Sequence, residues 1–249
     1  MTKEEREQLG DKLNNRGIEL ELGSRNGKQD PDEALIWYKR AARLGNACAM
    51  LNMGSIFQGR KDYEQAYHWY LEASLAGVGS AIYNLGRLYD EGHYVDQDRQ
   101  KAYDLFLMAY QKGVKKAAFY LAYYAYKGFV EKRNIDKAIR FYREGVKNGD
   151  GACAVNLGVL YIDGTGVPQN YNISRRLFEL AYQSGEPLSC LNLGIIYEYG
   201  EGVQRDMKKA LAYYREGAEK GEKQCIKALA RLGKAGYIYE QEDHIRLSE

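Results

Sequence analysis

Asn192-Leu193-Gly194-Ile195-Ile196-Tyr197-Glu198-Tyr199-Gly200 is the stretch that decides the fold of this 249-residue chain. Its leucine recurs at intervals of 36 residues without a gap, as do the small residue after it and the glycine that ends it. These three columns are Leu85, Leu121, Leu157, Leu193 and Leu229; Gly86, Ala122, Gly158, Gly194 and Ala230; and Gly92, Gly128, Gly164, Gly200 and Gly236. A fixed period of this length indicates a protein built from stacked structural repeats.

The second half of each unit repeats as well. An aromatic column is followed by a glycine seven residues later, and these positions are Phe106, Tyr142, Phe178 and Tyr214, then Gly113, Gly149, Gly185 and Gly221. Towards the N-terminus the register continues through Gly54 and Gly17, with a deletion of four residues near Gly59-Arg60-Lys61-Asp62. Loops absorb such deletions at little cost. We therefore expect a shortened loop there.

Each unit is predicted to form two helices, because apolar and small residues recur at steps of three and four. Glycines of the Gly92 and Gly113 columns are expected to end these helices in the left-handed conformation. A mid-helix glycine such as Gly86 costs roughly 1 kcal/mol in helix propensity, so it indicates that a neighbouring helix approaches closely. Trp69, Tyr70 and the aromatic column are predicted to fill the gap between helices.

One helix pair cannot by itself bury all of its apolar and small residues. The pairs must therefore stack on one another into a solenoid. We predict a single all-α solenoid of about six antiparallel helix pairs over residues 1–249, closed by a capping helix or pair. The predicted units are about 1–45, 46–77, 78–113, 114–149, 150–185 and 186–221, with the cap at 222–249.

Charge and cysteine content narrow the function classes. The chain has 36 Lys and Arg against 34 Asp and Glu. This near balance argues against binding of nucleic acid or an anionic membrane through a broad basic surface. The charged start at residues 1–7 predicts neither a signal peptide nor membrane insertion, and therefore a cytoplasmic protein. Cys48, Cys153, Cys190 and Cys225 form no Cys-x-x-Cys pair, so we expect reduced, small core residues.

The repeat resembles the Sel1-like repeat, a relative of the tetratricopeptide repeat. The copy that carries the resemblance runs from Asn192 through Gly200, Gly202, Val203 and Asp206 to Lys209-Ala210. Tyr120, Ala122 and Glu131 depart from the pattern in the fourth unit, and the paired cysteines of some secreted members are missing. The resemblance implies a right-handed α-solenoid and a non-enzymatic adaptor or scaffold that binds a segment of another protein.

By analogy with tetratricopeptide helices, the first helix of each pair is expected to line a concave groove. The predicted partner-binding residues are Tyr83, Arg87, Phe119, Tyr123, Tyr126, Val159, Ile162, Ile195 and Tyr199. Aromatic residues of this kind often dominate protein interfaces. The alternative is that several of these side chains belong to the core, since 23 tyrosines must be accommodated.

No organised catalytic, metal or cofactor site is predicted. The glycines near Gly164 and Gly200 lack the lysine and the strand of a phosphate loop, and they recur with the repeat. His68, His93 and His244 form no His-x-x-x-His pair.

Three alternatives to an adaptor stay open: an inhibitory or immunity protein that neutralises a toxin or enzyme, a hydrolase of unknown type, and a chain that also self-associates through an end of the solenoid.

Overall fold

The computed structural model describes residues 1–23 and 27–234, which form thirteen α-helices and no strands. Odd-numbered helices are the first helices of the predicted pairs, and even-numbered helices are the second. Their bounds are α1 (Lys3–Leu22), α2 (Pro31–Arg43), α3 (Ala47–Gly59), α4 (Tyr63–Leu75), α5 (Gly79–Glu91), α6 (Arg99–Gln111), α7 (Ala117–Lys127), α8 (Ile135–Lys147), α9 (Gly151–Asp163), α10 (Tyr171–Gln183), α11 (Leu188–Tyr199), α12 (Met207–Glu219) and α13 (Lys223–Lys234).

The chain divides into two compact units. Unit 1 comprises residues 1–124 and 129–132, and unit 2 comprises residues 125–128 together with the described residues from 133 onward. In unit 1, α1 packs on α2, α3 on α4 and α5 on α6. In unit 2, α9 packs on α10 and α11 on α12, and each pair also contacts its neighbour. The predicted all-α solenoid of helix pairs is confirmed.

The second helices begin at a repeated polar residue. Its side-chain oxygen accepts a hydrogen bond from the backbone N–H three residues later, as Asp206 does from Lys209 at 3.0 Å. Such a cap satisfies one of the donors that a helix start leaves unbonded and stabilises it by about 1 kcal/mol. The capping residues are Asp30, Asp62, Asp98, Asn134, Asn170 and Asp206.

The mid-helix glycines lie directly beneath aromatic rings of the paired helix. A Cβ built on Gly158 would lie 2.5 Å from Cε1 of Phe178, closer than packed side chains approach. The same relation holds for Gly17 with Tyr38, Gly54 with Tyr70, Gly86 with Phe106 and Gly194 with Tyr214. These rings are almost fully buried, as predicted. Trp69 differs, because it is only partly buried.

At Tyr38, Tyr70 and Tyr214 the hydroxyl of the ring donates to a side chain of the first helix. The hydroxyl of Tyr38 donates to Glu21 at 2.6 Å, and that of Tyr70 donates to Gln58 at 2.6 Å. Both acceptors lie four residues after the glycine that the ring covers. A buried hydroxyl needs such a partner, because leaving it without one costs about 1–3 kcal/mol.

A second contact joins the end of α8 to α9 and the end of α12 to α13. A Cβ on Gly145 would lie 2.2 Å from Sγ of Cys153, and one on Gly217 would lie 2.4 Å from Sγ of Cys225. Cys153, Cys190 and Cys225 are buried thiols, as predicted. The prediction of a core position is wrong for Cys48, which is exposed at the start of α3.

The deletion between α3 and α4 shortens their connection to residues 60–62, and Lys61 turns the chain with a φ of 62°. At the other end of the chain, α13 lies within the cap predicted at 222–249. Residues 235–249 of that cap lie outside the described residues.

Candidate protein-binding faces of the first helices

All nine predicted partner-binding residues lie on first helices, namely α5, α7, α9 and α11. None of them is fully buried: eight are partly exposed, and Tyr199 is 62% exposed. Unit 1 contains Tyr83, Arg87, Phe119 and Tyr123, whereas unit 2 contains Tyr126, Val159, Ile162, Ile195 and Tyr199. Each unit therefore presents its own part of the predicted face.

On α5 the two predicted residues already have partners within unit 1. The ring of Tyr83 packs 5.8 Å from the rings of both Phe106 and Tyr120. The guanidinium of Arg87 donates to Glu91 at 2.8 Å. This hydrogen bond raises the pKa of Arg87 against the opposing effect of burial. The α5 part of the face is therefore held in place by its own contacts.

On α7 an aromatic row continues into the following loop. The rings of Phe119 and Tyr123 are parallel, with centroids 6.2 Å apart, and Tyr123 meets the ring of Phe129 edge-on at 5.6 Å. The guanidinium carbon of Arg99 lies 4.2 Å from the centroid of Phe129. Phe129 was not predicted, because it lies in the irregular segment after α7, where no helical periodicity assigns it to a face.

The predicted residues of unit 2 comprise two tyrosines and three aliphatic side chains. Tyr126 has the guanidinium of Arg133 at 5.0 Å from its ring centroid. Val159 and Ile162 pack at the edge of the core around Phe178 and Leu193, and Ile195 packs against the core around Tyr214. These three aliphatic side chains therefore expose only a modest part of their surface.

Three other side chains of these first helices serve the fold. Val155 is buried, at 6% exposure. Asp90 accepts a hydrogen bond from the hydroxyl of Tyr124. Burial and this bond raise the pKa of Tyr124. Glu198 is only 4% exposed. Burial or a hydrogen bond within the chain therefore engages all three side chains.

Glu198 has a well-defined set of partners. It accepts hydrogen bonds from the hydroxyl of Tyr214 at 2.8 Å and from the guanidinium of Arg231 at 2.6 Å. Burial alone would raise the pKa of Glu198, but these two donors hold it below its usual value. Both carboxylate contacts are therefore structural, and they tie α11 to α12 and α13.

Within residues 1–23 and 27–234, no group of three or more His, Cys, Asp or Glu side chains is placed to hold a metal ion. Among the same residues, no helix is both long and apolar enough to cross a membrane.

Stacked helix pairs with a glycine under five of the buried rings define a repeat protein of the all-α solenoid class. The Sel1 repeat family matches residues 13–46, 49–78, 79–114, 115–150, 151–186 and 187–222. The chain belongs to the Sel1 repeat family. No curated protein sequence matches it.

Several solved structures are similar to this one. The crystal structure of a Sel1 repeat protein from Oxalobacter formigenes is 25% identical, with a TM-score of 0.75, over 96% of this chain and 94% of the other. The protective antigen c5321 of uropathogenic Escherichia coli, which displays an SLR fold, is 25% identical, with a TM-score of 0.52, over 93% of this chain and 59% of its own. The immunity protein PA5088 from Pseudomonas aeruginosa is 17% identical, with a TM-score of 0.58, over 88% and 82%, and shares the fold.

Proposed function

We propose that this chain is a non-enzymatic adaptor whose first-helix faces bind a segment of a partner protein. Sel1 repeat proteins as a class mediate protein–protein interaction, and the proposal assigns that role to particular side chains here. The observation that carries it is the aromatic row of Phe119, Tyr123 and Phe129, whose rings remain partly exposed although many other tyrosines are buried.

The row in unit 1 has the properties of an interface anchor. Its rings are held by contact with one another, so their conformational freedom is already restricted before a partner arrives. Binding then loses little additional side-chain entropy. Aromatic side chains arranged in this way often contribute about 2 kcal/mol or more each to a protein interface.

The face in unit 2 supports the same role through a single exposed anchor. Tyr199 is a large side chain that the fold leaves mostly in solvent at the end of α11. Val159, Ile162 and Ile195 add apolar surface on first helices of this unit. All four cysteines are unpaired. Unpaired cysteines suit a reducing compartment, which supports a cytoplasmic location.

The proposal is tested by affinity capture with matched variants. The immobilised chain is exposed to lysate of its source organism, and retained proteins are quantified for the unmodified chain, for Phe119→Ser/Tyr123→Ser and for Tyr199→Ser. Leu180→Ser is the control, because Leu180 is an exposed apolar residue on a second helix. Circular dichroism first establishes that every variant is folded.

We expect a partner that the unmodified chain and Leu180→Ser retain and that at least one first-helix variant loses. Equal retention by all four chains would show that binding lies elsewhere. The captured protein then separates adaptor from inhibitor. An adaptor leaves the activity of its partner unchanged, whereas an inhibitory or immunity protein abolishes it at one-to-one stoichiometry.

A further inference from the structure

A second aromatic surface of unit 1 lies between α4 and the loop that follows α5. We call it the Tyr94 patch and define it as Tyr63, Tyr67, His68, His93 and Tyr94. Tyr63 stacks on His93, with ring centroids 4.1 Å apart. The ring of Tyr94 lies 5.5 Å from that of Tyr67 and 5.8 Å from that of His68. The patch shares no residue with the proposed first-helix faces.

Tyr94 adopts an unusual backbone conformation. Its φ is 66°, and among the described residues Lys61 is the one other non-glycine residue with positive φ. The equivalent positions two and three repeats later are Gly166 and Gly202, both with a φ of 69°. A bulky side chain is a genuine outlier in this conformation, and such outliers concentrate at functional sites. The tyrosine side chain is therefore placed where glycine would fit more easily.

The contacts of Tyr94 leave much of its ring in solvent. The side chain is 50% exposed although it touches two other rings. His68 is exposed as well, while Tyr63, Tyr67 and His93 are partly buried beneath. The patch thus consists of partly buried rings that pack against exposed ones. An aromatic anchor of a protein interface has the same arrangement.

The sequence around the patch is acidic. Between residues 62 and 98 the single Lys or Arg is Arg87, which is paired with Glu91. Glu91 also contacts Nδ1 of His93 at 2.9 Å. The acidic residues of this interval are Asp62, Glu64, Glu72, Asp90, Glu91, Asp96 and Asp98. Glu64 and Asp96 are exposed and lie within two residues of Tyr63 and Tyr94 in the sequence, so they complement a positively charged partner.

One ring next to the patch already holds a cation. The ammonium of Lys101 lies 4.2 Å from the ring centroid of Tyr89, and the hydroxyls of Tyr89 and Tyr67 are 3.2 Å apart. The face of an aromatic ring attracts cations through its quadrupole. Tyr89 and Lys101 show this contact within the chain.

We propose that the Tyr94 patch binds a segment of another protein that carries lysine or arginine side chains. The cationic groups lie over the rings of Tyr94 and Tyr67, and the carboxylates of Glu64 and Asp96 attract them from the rim. This interaction is additional to that of the first-helix faces and does not depend on it.

The test uses a fluorescein-labelled peptide of alternating glycine and arginine, with a glycine–glutamate peptide as the negative control. Binding is measured by fluorescence anisotropy at low ionic strength. We expect the arginine peptide alone to bind. Tyr94→Gly weakens binding at least about tenfold, whereas Tyr94→Phe keeps it within about twofold because the ring is retained. Glu64→Gln/Asp96→Asn weakens binding and reduces its dependence on salt.

Tyr94→Gly is a suitable variant because glycine already occupies the equivalent positions 166 and 202, so the fold is retained. Thermal denaturation confirms this before binding is measured. The proposal is overturned if the unmodified chain does not bind the arginine peptide, or if Tyr94→Gly binds it equally well. Loss of binding in Tyr199→Ser but not in Tyr94→Gly would also overturn it, because the peptide would then occupy a first-helix face.

Discussion

Tyr214 covers Gly194 so closely that a Cβ built on Gly194 would lie 2.3 Å from Cε1 of the ring. The hydroxyl at the far end of the same ring donates to Glu198, one helical turn after Gly194. One side chain of α12 thus contacts α11 twice, once by packing and once by a hydrogen bond. Gly194 is required in this pair because any side chain would displace the ring.

We expect Gly194→Ala to destabilise the chain by roughly 1–3 kcal/mol, the usual cost of overpacking. Alanine has a higher helix propensity than glycine by about 1 kcal/mol, so the packing term must exceed that gain. The free energy of unfolding is measured by urea denaturation, followed by circular dichroism. Gly59→Ala is the control, since no atom lies within 4 Å of its added Cβ. A stabilising effect of Gly194→Ala would contradict the packing.

Gly145 and Cys153 form a volume-matched pair. In other repeats the same two positions hold Ala73 with Ala81 and Ala109 with Ala117. Compared with these alanine pairs, the first residue is smaller at Gly145 and the second is larger at Cys153, so the two changes in volume offset each other. We expect Gly145→Ala alone to cost about 1–3 kcal/mol and Cys153→Ala alone to cost about 1 kcal/mol. The double variant recreates an alanine pair and recovers at least about 1 kcal/mol of the summed losses. Additive losses in urea denaturation would mean that the two side chains do not compete for space.

The sequence was sufficient to predict the helix pairs, the left-handed glycines and the buried ring column, because each depends on contacts that recur with the period. Gly158 and Phe178 show this, since their spacing is also that of Gly86 with Phe106 and of Gly194 with Tyr214. What the period could not predict depends on single side chains. Phe129 lies in an irregular loop, and Tyr94 stands where two later repeats have Gly166 and Gly202. The hydrogen bond from Tyr214 to Glu198 depends on the identity of both side chains.

Phe178 and Ile162 are the apolar counterparts of Tyr214 and Glu198 in the preceding repeat. Phe178→Tyr would place a buried hydroxyl near Ile162, which offers it no acceptor, so we expect a loss of about 1–3 kcal/mol. Adding Ile162→Glu should restore a large part of that loss by recreating the pair seen at positions 214 and 198. Ile162→Glu alone is the control and is expected to destabilise. If the double variant is no more stable than Phe178→Tyr, the hydroxyl has found another acceptor.

Tyr94→Gly should leave the stability of the chain nearly unchanged. The left-handed conformation costs a non-glycine residue about 1–2 kcal/mol, which the substitution removes. The ring contacts with Tyr67 and His68 contribute about 0.5–1.5 kcal/mol, which the substitution loses. Thermal denaturation should therefore place the melting temperature close to that of the unmodified chain. Tyr94→Ala loses the same contacts without relieving the strain and should be the less stable variant.

Glu198 gives the chain a specific dependence on pH. Its pKa in the folded chain lies below the ordinary value of 4.5, because Arg231 and Tyr214 donate to the carboxylate. A carboxyl group shifted in this direction stabilises the fold above its unfolded pKa, and the stabilisation is lost as the pH falls through its folded pKa. We therefore expect Glu198→Gln to destabilise the chain by about 1–3 kcal/mol near neutral pH. The difference from the unmodified chain should shrink once the pH falls below about 4.

Urea denaturation at about pH 7 and about pH 3 measures that difference directly, and comparing the two chains cancels the titration of the remaining carboxylates. Glu72→Gln is the matched control, because Glu72 is exposed, and it should change stability by less than about 0.5 kcal/mol at either pH. Arg231→Gln removes the charged donor but leaves Tyr214 in place. It should reproduce part of the loss at neutral pH, because half of the arginine side chain is exposed and its charge is partly screened by solvent. A difference between Glu198→Gln and the unmodified chain that is equally large at both pH values would show that packing, not the charge of Glu198, links α11 to α13.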